Sequence, residues 1–152
     1  MFKINIADKS GKTYKLEAEA EELNGKELHS VISGKSLDSN LDGYEFEITG
    51  ASDKAGFTVH KELAGVGLKK MLLTYGKAMK RRPRKEGKKK RSNPVPKGLR
   101  LRKTVRGKVI SPEIIQINLK VTKAGQKPLT EVFPDQNKAK EAEKTEEKKE
   151  AS

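Results

Sequence analysis

At 152 residues the chain has room for one folded domain plus extensions, on the usual scale of about 100–200 residues per domain. Charged side chains make up 36% of it, against about 25% in ordinary globular chains, and 34 Lys and Arg over 21 Asp and Glu leave a net charge of +13, which points to a polyanionic partner. With no cysteine, disulfides and thiolate metal sites are excluded, and two histidines, His29 and His60, do not make an imidazole metal cage, so neither metal nor cofactor is expected.

The leading residues alternate, with Phe2, Ile4 and Ile6 apolar between Lys3 and Asn5, and lack the apolar core of a signal peptide, so the chain is expected in the cytoplasm. The alternation resumes at Tyr14, Leu16 and Ala18 after Asp8-Lys9-Ser10-Gly11, which predicts a β-hairpin. Turn formers interrupt residues 21–42, giving short helical turns and a weak strand around Leu28 to Ile32. Tyr44, Phe46 and Ile48 between Glu45 and Glu47 predict a half-buried strand ending at Thr49-Gly50. A loop to about Gly67, a strand near Leu68 to Tyr75, a strand over Val105 to Ile110 and a turn at Ser111-Pro112 follow. The clearest strand has Ile115, Ile117, Leu119 and Val121 alternating with Gln116, Asn118 and Lys120.

Several short strands and no long amphipathic helix predict a mainly β fold, a small antiparallel β-barrel-like domain over residues 1–134. Beyond it, residues 135–152 have alanine as their only apolar side chain, too little to offset the entropy of ordering, so a disordered charged tail is expected. No uncharged apolar run approaches the about 18 residues of a membrane span.

Charge is not spread evenly. Residues 1–68 carry 8 basic and 12 acidic side chains, residues 69–108 carry 18 and 1, and residues 109–152 carry 8 and 8. The excess therefore sits in one segment. Lys77, Lys80, Arg81, Arg82, Arg84, Lys85, Lys88, Lys89, Lys90, Arg91, Lys97, Arg100, Arg102, Lys103, Arg106 and Lys108 stand there against Glu86 alone. Phosphates relieve the mutual repulsion of such a run, and release of condensed counterions drives the association. Pro83, Gly87, Pro94, Pro96 and Gly98 break any continuous helix, so an extended loop that follows its partner's shape is expected. The segment has no apolar anchor for a membrane beyond Leu99, Leu101 and Val105, which alternate with charges. RNA is favoured over DNA because no recognition-helix pattern, zinc spacing or heptad-linked basic region is present. Only Tyr75 lies near the block as a base-stacking aromatic, which leaves shape and phosphate recognition of a folded RNA.

Catalysis finds little support. Gly34-Lys35-Ser36 matches the end of a phosphate-binding loop whose first glycine would fall on His29. Gly65-Val66-Gly67 lacks the third glycine of a dinucleotide fingerprint, because that place holds Lys70. His60 has Asp53 and Glu62 nearby in sequence but no nucleophile beside it. No enzyme and no small-molecule substrate are expected.

The stretch Tyr44-Glu-Phe-Glu-Ile-Thr-Gly-Ala-Ser-Asp-Lys-Ala-Gly-Phe57 resembles the signature of the small-subunit ribosomal protein family S6e, a strand followed by Ile-Thr/Ser-Gly-Gly-x-Asp-Lys-x-Gly-Phe. Met1 to Asp8, and Arg100-Leu-Arg-Lys-Thr-Val-Arg-Gly-Lys-Val-Ile110 with its Arg-Lys-x-Val-Arg-Gly pattern, are similar to two further stretches in the family's order, and together the likeness spans about residues 1–130. Ala51 stands where the family often has a second glycine, and Thr58-Val59 where it usually has Pro-Met. The short form resembles archaeal members, without the serine-bearing basic extension of eukaryotic ones. The resemblance implies a β-barrel core within the cytoplasmic small subunit, with ribosomal RNA and neighbouring ribosomal proteins as partners. A free regulatory or translation-factor-like RNA binder is the alternative reading. Within the signature, Gly50 and Gly56 are expected to supply positive φ to a tight loop, Asp53 to cap it, Phe57 to anchor it to the core, and Lys54 to meet phosphate at its tip.

Overall fold

The computed structural model describes residues 1–76, 78–79, 98–134 and 136. Of the basic segment 69–108 read as an extended loop, residues 77 and 80–97 lie outside the described residues, and the described remainder includes two paired strands, Leu68–Leu73 and Leu101–Arg106, rather than loop throughout. Nearly all of the tail read as disordered lies outside as well.

Strand β1 (Phe2–Ala7) pairs antiparallel with β2 (Thr13–Ala18) in the expected hairpin. Asp8 fixes the turn: its carboxylate accepts hydrogen bonds from the Ser10 hydroxyl and amide, which hold it below the ordinary carboxylate range. Short 3-10 turns at Glu21–Leu23, Gly34–Ser36 and Ser39–Leu41 bracket β3 (Val31–Ser33), and bury Leu23, Gly34 and Leu41. Strand β4 (Glu45–Asp53) pairs with β3 on one side and with β7 (Ile114–Lys123) on the other, both antiparallel. Between them in sequence, β5 (Leu68–Leu73) and β6 (Leu101–Arg106) form a two-stranded ribbon. A four-residue helix, α1 (Leu129–Val132), follows β7.

The main sheet has the order β2-β1-β7-β4-β3, and β1 lies parallel to β7 with Ile4 opposite Ile117. This corrects the antiparallel barrel expected from the sequence. Among the described residues the fold is mainly β with open sheets and no closed barrel. β7 takes the centre, β2 and β3 are left at the edges, and β5 and β6 pair only with each other along their length. The β2 edge is partly covered: the Gln136 side chain exchanges two hydrogen bonds with the Lys15 backbone, 2.7 and 2.8 Å, and Phe133 stacks on Tyr14.

Phe2, Ile4, Ile6, Tyr14, Phe46, Ile48, Ile117, Leu119 and Val121 fill one buried cluster, which Leu23, Leu41, Ile110 and Leu129 close from outside the strands. Tyr44 stacks on Phe46 there, and burial pushes its hydroxyl pKa up. A second, smaller cluster of Leu73, Met79 and Val105, with Leu63, Met71, Ala78 and Leu99 against it, lies under the ribbon.

β3 begins at Val31 rather than near Leu28 and β5 ends at Leu73 rather than Tyr75, and two further boundary differences bear on the site. Strand β4 does not stop at Gly50 but runs to Asp53 across an irregularity between Ile48 and Gly50. The extra residue inverts the alternation, so Phe46 and Ile48 are buried before it and Ala51 and Asp53 after it. Strand β6 starts four residues before the interval expected from Val105 to Ile110 and ends within it at Arg106, before Gly107. A Cβ on Gly107 would stand 1.9 Å from the Gly65 carbonyl oxygen, so only glycine lets the two backbones pass this closely. Lys108 to Ile110 turn instead to the segment at Gly25 to Leu28, through Ile110 N–H to the Lys26 carbonyl (2.8 Å) and Leu28 N–H to the Lys108 carbonyl (2.9 Å).

Amide exchange should therefore be slowest at Phe46, Ile48, Ile117 and Leu119, buried in the inner strands, and faster along β5, which has one partner strand and a small cluster beneath it. Equal protection in the ribbon and the inner strands, measured by hydrogen exchange, would contradict this division.

Candidate nucleic-acid interface

The bulge in β4 determines what the signature loop can do. By turning Asp53 inward it places a carboxylate beneath the end of β6, where Arg106 is also turned inward. The two side chains are only 5% and 8% exposed. Arg106 Nε and Nη2 both donate to Asp53 Oδ2 at 3.1 Å, while Nη1 donates to the Val66 carbonyl at 3.2 Å and to Glu113. Burial disfavours the guanidinium charge, but the bonds from Glu113 and Asp53 outweigh it and hold Arg106 above its ordinary pKa. The arginine thus joins β4, the loop before β5, the end of β6 and the turn before β7.

The other oxygen of Asp53 shapes the loop. Phe57 N–H donates to Asp53 Oδ1 at 2.8 Å, the Asp53 and Phe57 backbones pair at 3.1 Å, and Gly56 N–H donates to the Asp53 carbonyl at 3.1 Å. Gly56 has φ +86°, as the turn requires. Gly50 is a correction: it does not adopt positive φ but sits inside β4 at the bulge, where an added Cβ would stand 3.8 Å from Asn118 Nδ2. Lys54 is exposed within the turn, and Phe57 is half-buried. After the loop, Val59 N–H donates to the Ala51 carbonyl, Arg106 N–H to the Thr58 carbonyl and His60 N–H to the Arg106 carbonyl, each at 2.9 Å. That short run ties the main sheet to the ribbon.

The described cations of the basic segment divide into two groups. Arg100, Arg102 and Lys103 are exposed on or next to β6, and Lys69 and Lys70 are exposed on β5 across from Val105 and Thr104. Arg106 is buried, and Lys108 pairs with Glu27 at 2.7 Å. Lys77, Lys80, Arg81, Arg82, Arg84, Lys85, Lys88, Lys89, Lys90, Arg91 and Lys97 lie outside the described residues. Lys69 and Lys70 fall within the 69–108 segment but are not singled out by the sequence reading, because they belong to a strand with apolar neighbours.

Two concavities flank the ribbon. One, of about 640 Å3, is lined by Val66, Gly67, Leu68, Ser111, Pro112 and the Arg106–Glu113 pair. The other, of about 480 Å3, lies between the signature loop (Gly56, Phe57, Thr58) and Arg102, Lys103 and Thr104, with Ala78 at its side. Among the described residues no group of three or more His, Cys, Asp or Glu is placed to hold a metal. His60 is half-buried, and its Nδ1 accepts only a long bond, 3.4 Å, from the Glu62 amide.

A β sheet carrying an exposed cationic ribbon, joined to it by a buried ion pair, places the chain among small basic β proteins. Known proteins narrow the class. The family described as Ribosomal protein S6e matches residues 2–95 and 92–134. A protein of Archaeoglobus fulgidus, "Small ribosomal subunit protein eS6", is 40% identical over 136 residues, 87% of this chain and 95% of its own. Proteins of the same name from Methanoregula boonei and Methanocaldococcus jannaschii are 35% and 36% identical, covering 97% and 86% of this chain and 96% and 89% of their own. The chain belongs to the ribosomal protein S6e family, whose members are ribosomal proteins rather than enzymes.

Proposed function

We propose that this chain is a structural constituent of the small ribosomal subunit, in the cytoplasm, and binds ribosomal RNA through the basic segment 69–108. The carrying observation is where the charge sits: 18 cations and one acid fall within that segment, and its described strands hold Lys69, Lys70, Arg102 and Lys103 out to solvent. Phosphate oxygens along a folded RNA are the ligands such an array satisfies, with arginine forks gripping two oxygens and lysines acting as mobile point charges. The names of the relatives supply the particle; neighbouring ribosomal proteins complete the set of partners. In this reading residues 1–134 are the RNA-binding domain and residues 135–152 a charged tail.

Sedimentation separates this from a free RNA-binding regulator. In a sucrose gradient after a high-salt wash, the chain should remain with the small subunits. Recovery in the soluble fractions alone would overturn the structural assignment and favour the regulator.

A further inference from the structure

We infer that the concavity between the signature loop and β6 receives one unpaired RNA nucleotide, its base stacked on Phe57 and its phosphate drawn by the positive charge that β6 brings to the wall. The inference rests on the RNA-binding reading and adds a specific site to it. Phe57 is half-buried, so part of the ring is covered by protein, and it lines the concavity. Its position is fixed twice: the Phe57 backbone is bonded to Asp53 in both directions, and Asp53 is itself bonded to the buried Arg106. A ring held on such a turn is a preorganised stacking platform, and stacking tolerates any base because every base has a π-face.

The rest of the lining suits a nucleotide. Arg102 and Lys103 bring positive charge to the opposite wall, and Thr58 and Thr104 bring hydroxyls that can donate to or accept from a base edge or a 2′-hydroxyl. Gly56 has nothing within 4 Å of where its Cβ would be, so the loop leaves open space at the rim. The volume, about 480 Å3, lies in the range of about 300–1,000 Å3 typical of small-ligand sites. A paired base presents only its edge to a protein, so this site selects a nucleotide that has left the stack.

The chain has no tryptophan, so Phe57→Trp introduces a single indole as a reporter. The full-length F57W protein would be titrated with a single-stranded oligoribonucleotide, a fully paired RNA duplex of equal length, and heparin as a polyanion without bases. The expected result is quenching of the indole by the single strand and little by duplex or heparin, although all three bind. Phe57→Leu should weaken single-strand binding by roughly tenfold while leaving duplex affinity and the salt slope unchanged, because losing a stacked base releases no counterions. If F57W fails to fold, the ratio of single-strand to duplex affinity in F57L carries the test. Binding of both RNAs with no quenching in F57W and no change of ratio in F57L would overturn the nucleotide site and leave the RNA-binding reading standing. Failure of the native protein to bind any RNA would overturn both.

Discussion

Asp53→Asn is expected to lower folding stability by about 2–3 kcal/mol, read from urea denaturation with the slope unchanged. Removing one partner of a buried ion pair typically costs about 3–5 kcal/mol, because the other charge is left without compensation. The effect here falls at or below the low end, since Arg106 keeps its bond to Glu113, whose side chain is 70% exposed. Asparagine can keep its oxygen on the Phe57 amide, but its Nδ2 then faces the Arg106 donors, so the loss reports the charge together with the two bonds to Oδ2. Asp53→Asn combined with Arg106→Met should recover most of the loss, because the stranded guanidinium is gone. A single variant within about 0.5 kcal/mol of the native protein, the size of an ordinary surface change, would show that the pair holds nothing together.

The second large effect concerns affinity. Replacing Arg81, Arg82, Arg84 and Lys85 with alanine should flatten the dependence of log K on log salt by up to about 0.7–0.9 for each phosphate no longer neutralised. With one phosphate for each of these four cations, the native protein would lose about 50- to 150-fold more affinity than the variant between 50 and 200 mM salt. Removing Lys3, Lys15 and Lys120 takes nearly as much charge from the strands of the main sheet and should change the slope far less. Both sets belong in one salt series on one fragment of folded ribosomal RNA. Equal slopes would mean that only the total charge of the protein attracts the polyanion, and that the basic segment has no special part.

The strands that pack one face into the core are legible in the sequence, because alternation records which face is dry. Phe2, Ile4 and Ile6, Tyr44, Phe46 and Ile48, and Ile117, Leu119 and Val121 are all buried as their spacing requires, whereas Ile115, expected on the same face, is only half-buried, and Ile114 is buried instead beside a register shift. What alternation does not record is the neighbour. Nothing in Phe2–Ala7 or Ile114–Lys123 marks them as a parallel pair, and without that pairing a set of short strands reads most simply as a closed antiparallel barrel. Bulges are also silent: Gly50 looks like the end of a strand and lies within it. At the site, the signature loop and the basic segment are both visible in the sequence, but their connection is not. Arg106 is one cation among 18 in sequence, and only the fold shows that it faces Asp53, 53 residues earlier. Charge counting cannot separate an inward arginine from an outward one. Phe57 reads as a core anchor for a similar reason, since an aromatic after a turn looks the same whether its ring is wholly or partly covered.

The parallel pairing of the first strand with the last has a consequence for the order in which the protein comes into being. Strand β1 leaves a translating ribosome long before β7, and its place beside β7 stays vacant until residue 123 has been made. At about 5–20 residues per second that interval lasts roughly 6–25 seconds. All 18 cations of residues 69–108 are synthesised within it. The newborn chain therefore offers its charged segment to any surrounding polyanion before its own sheet can be completed, and only the β1–β2 hairpin, with the short β3–β4 pairing, is available earlier to keep Phe2, Ile4 and Ile6 from water. Long-range pairing of this kind slows folding. A partner that neutralises the cations during the delay meets a chain whose first and last strands have not yet joined.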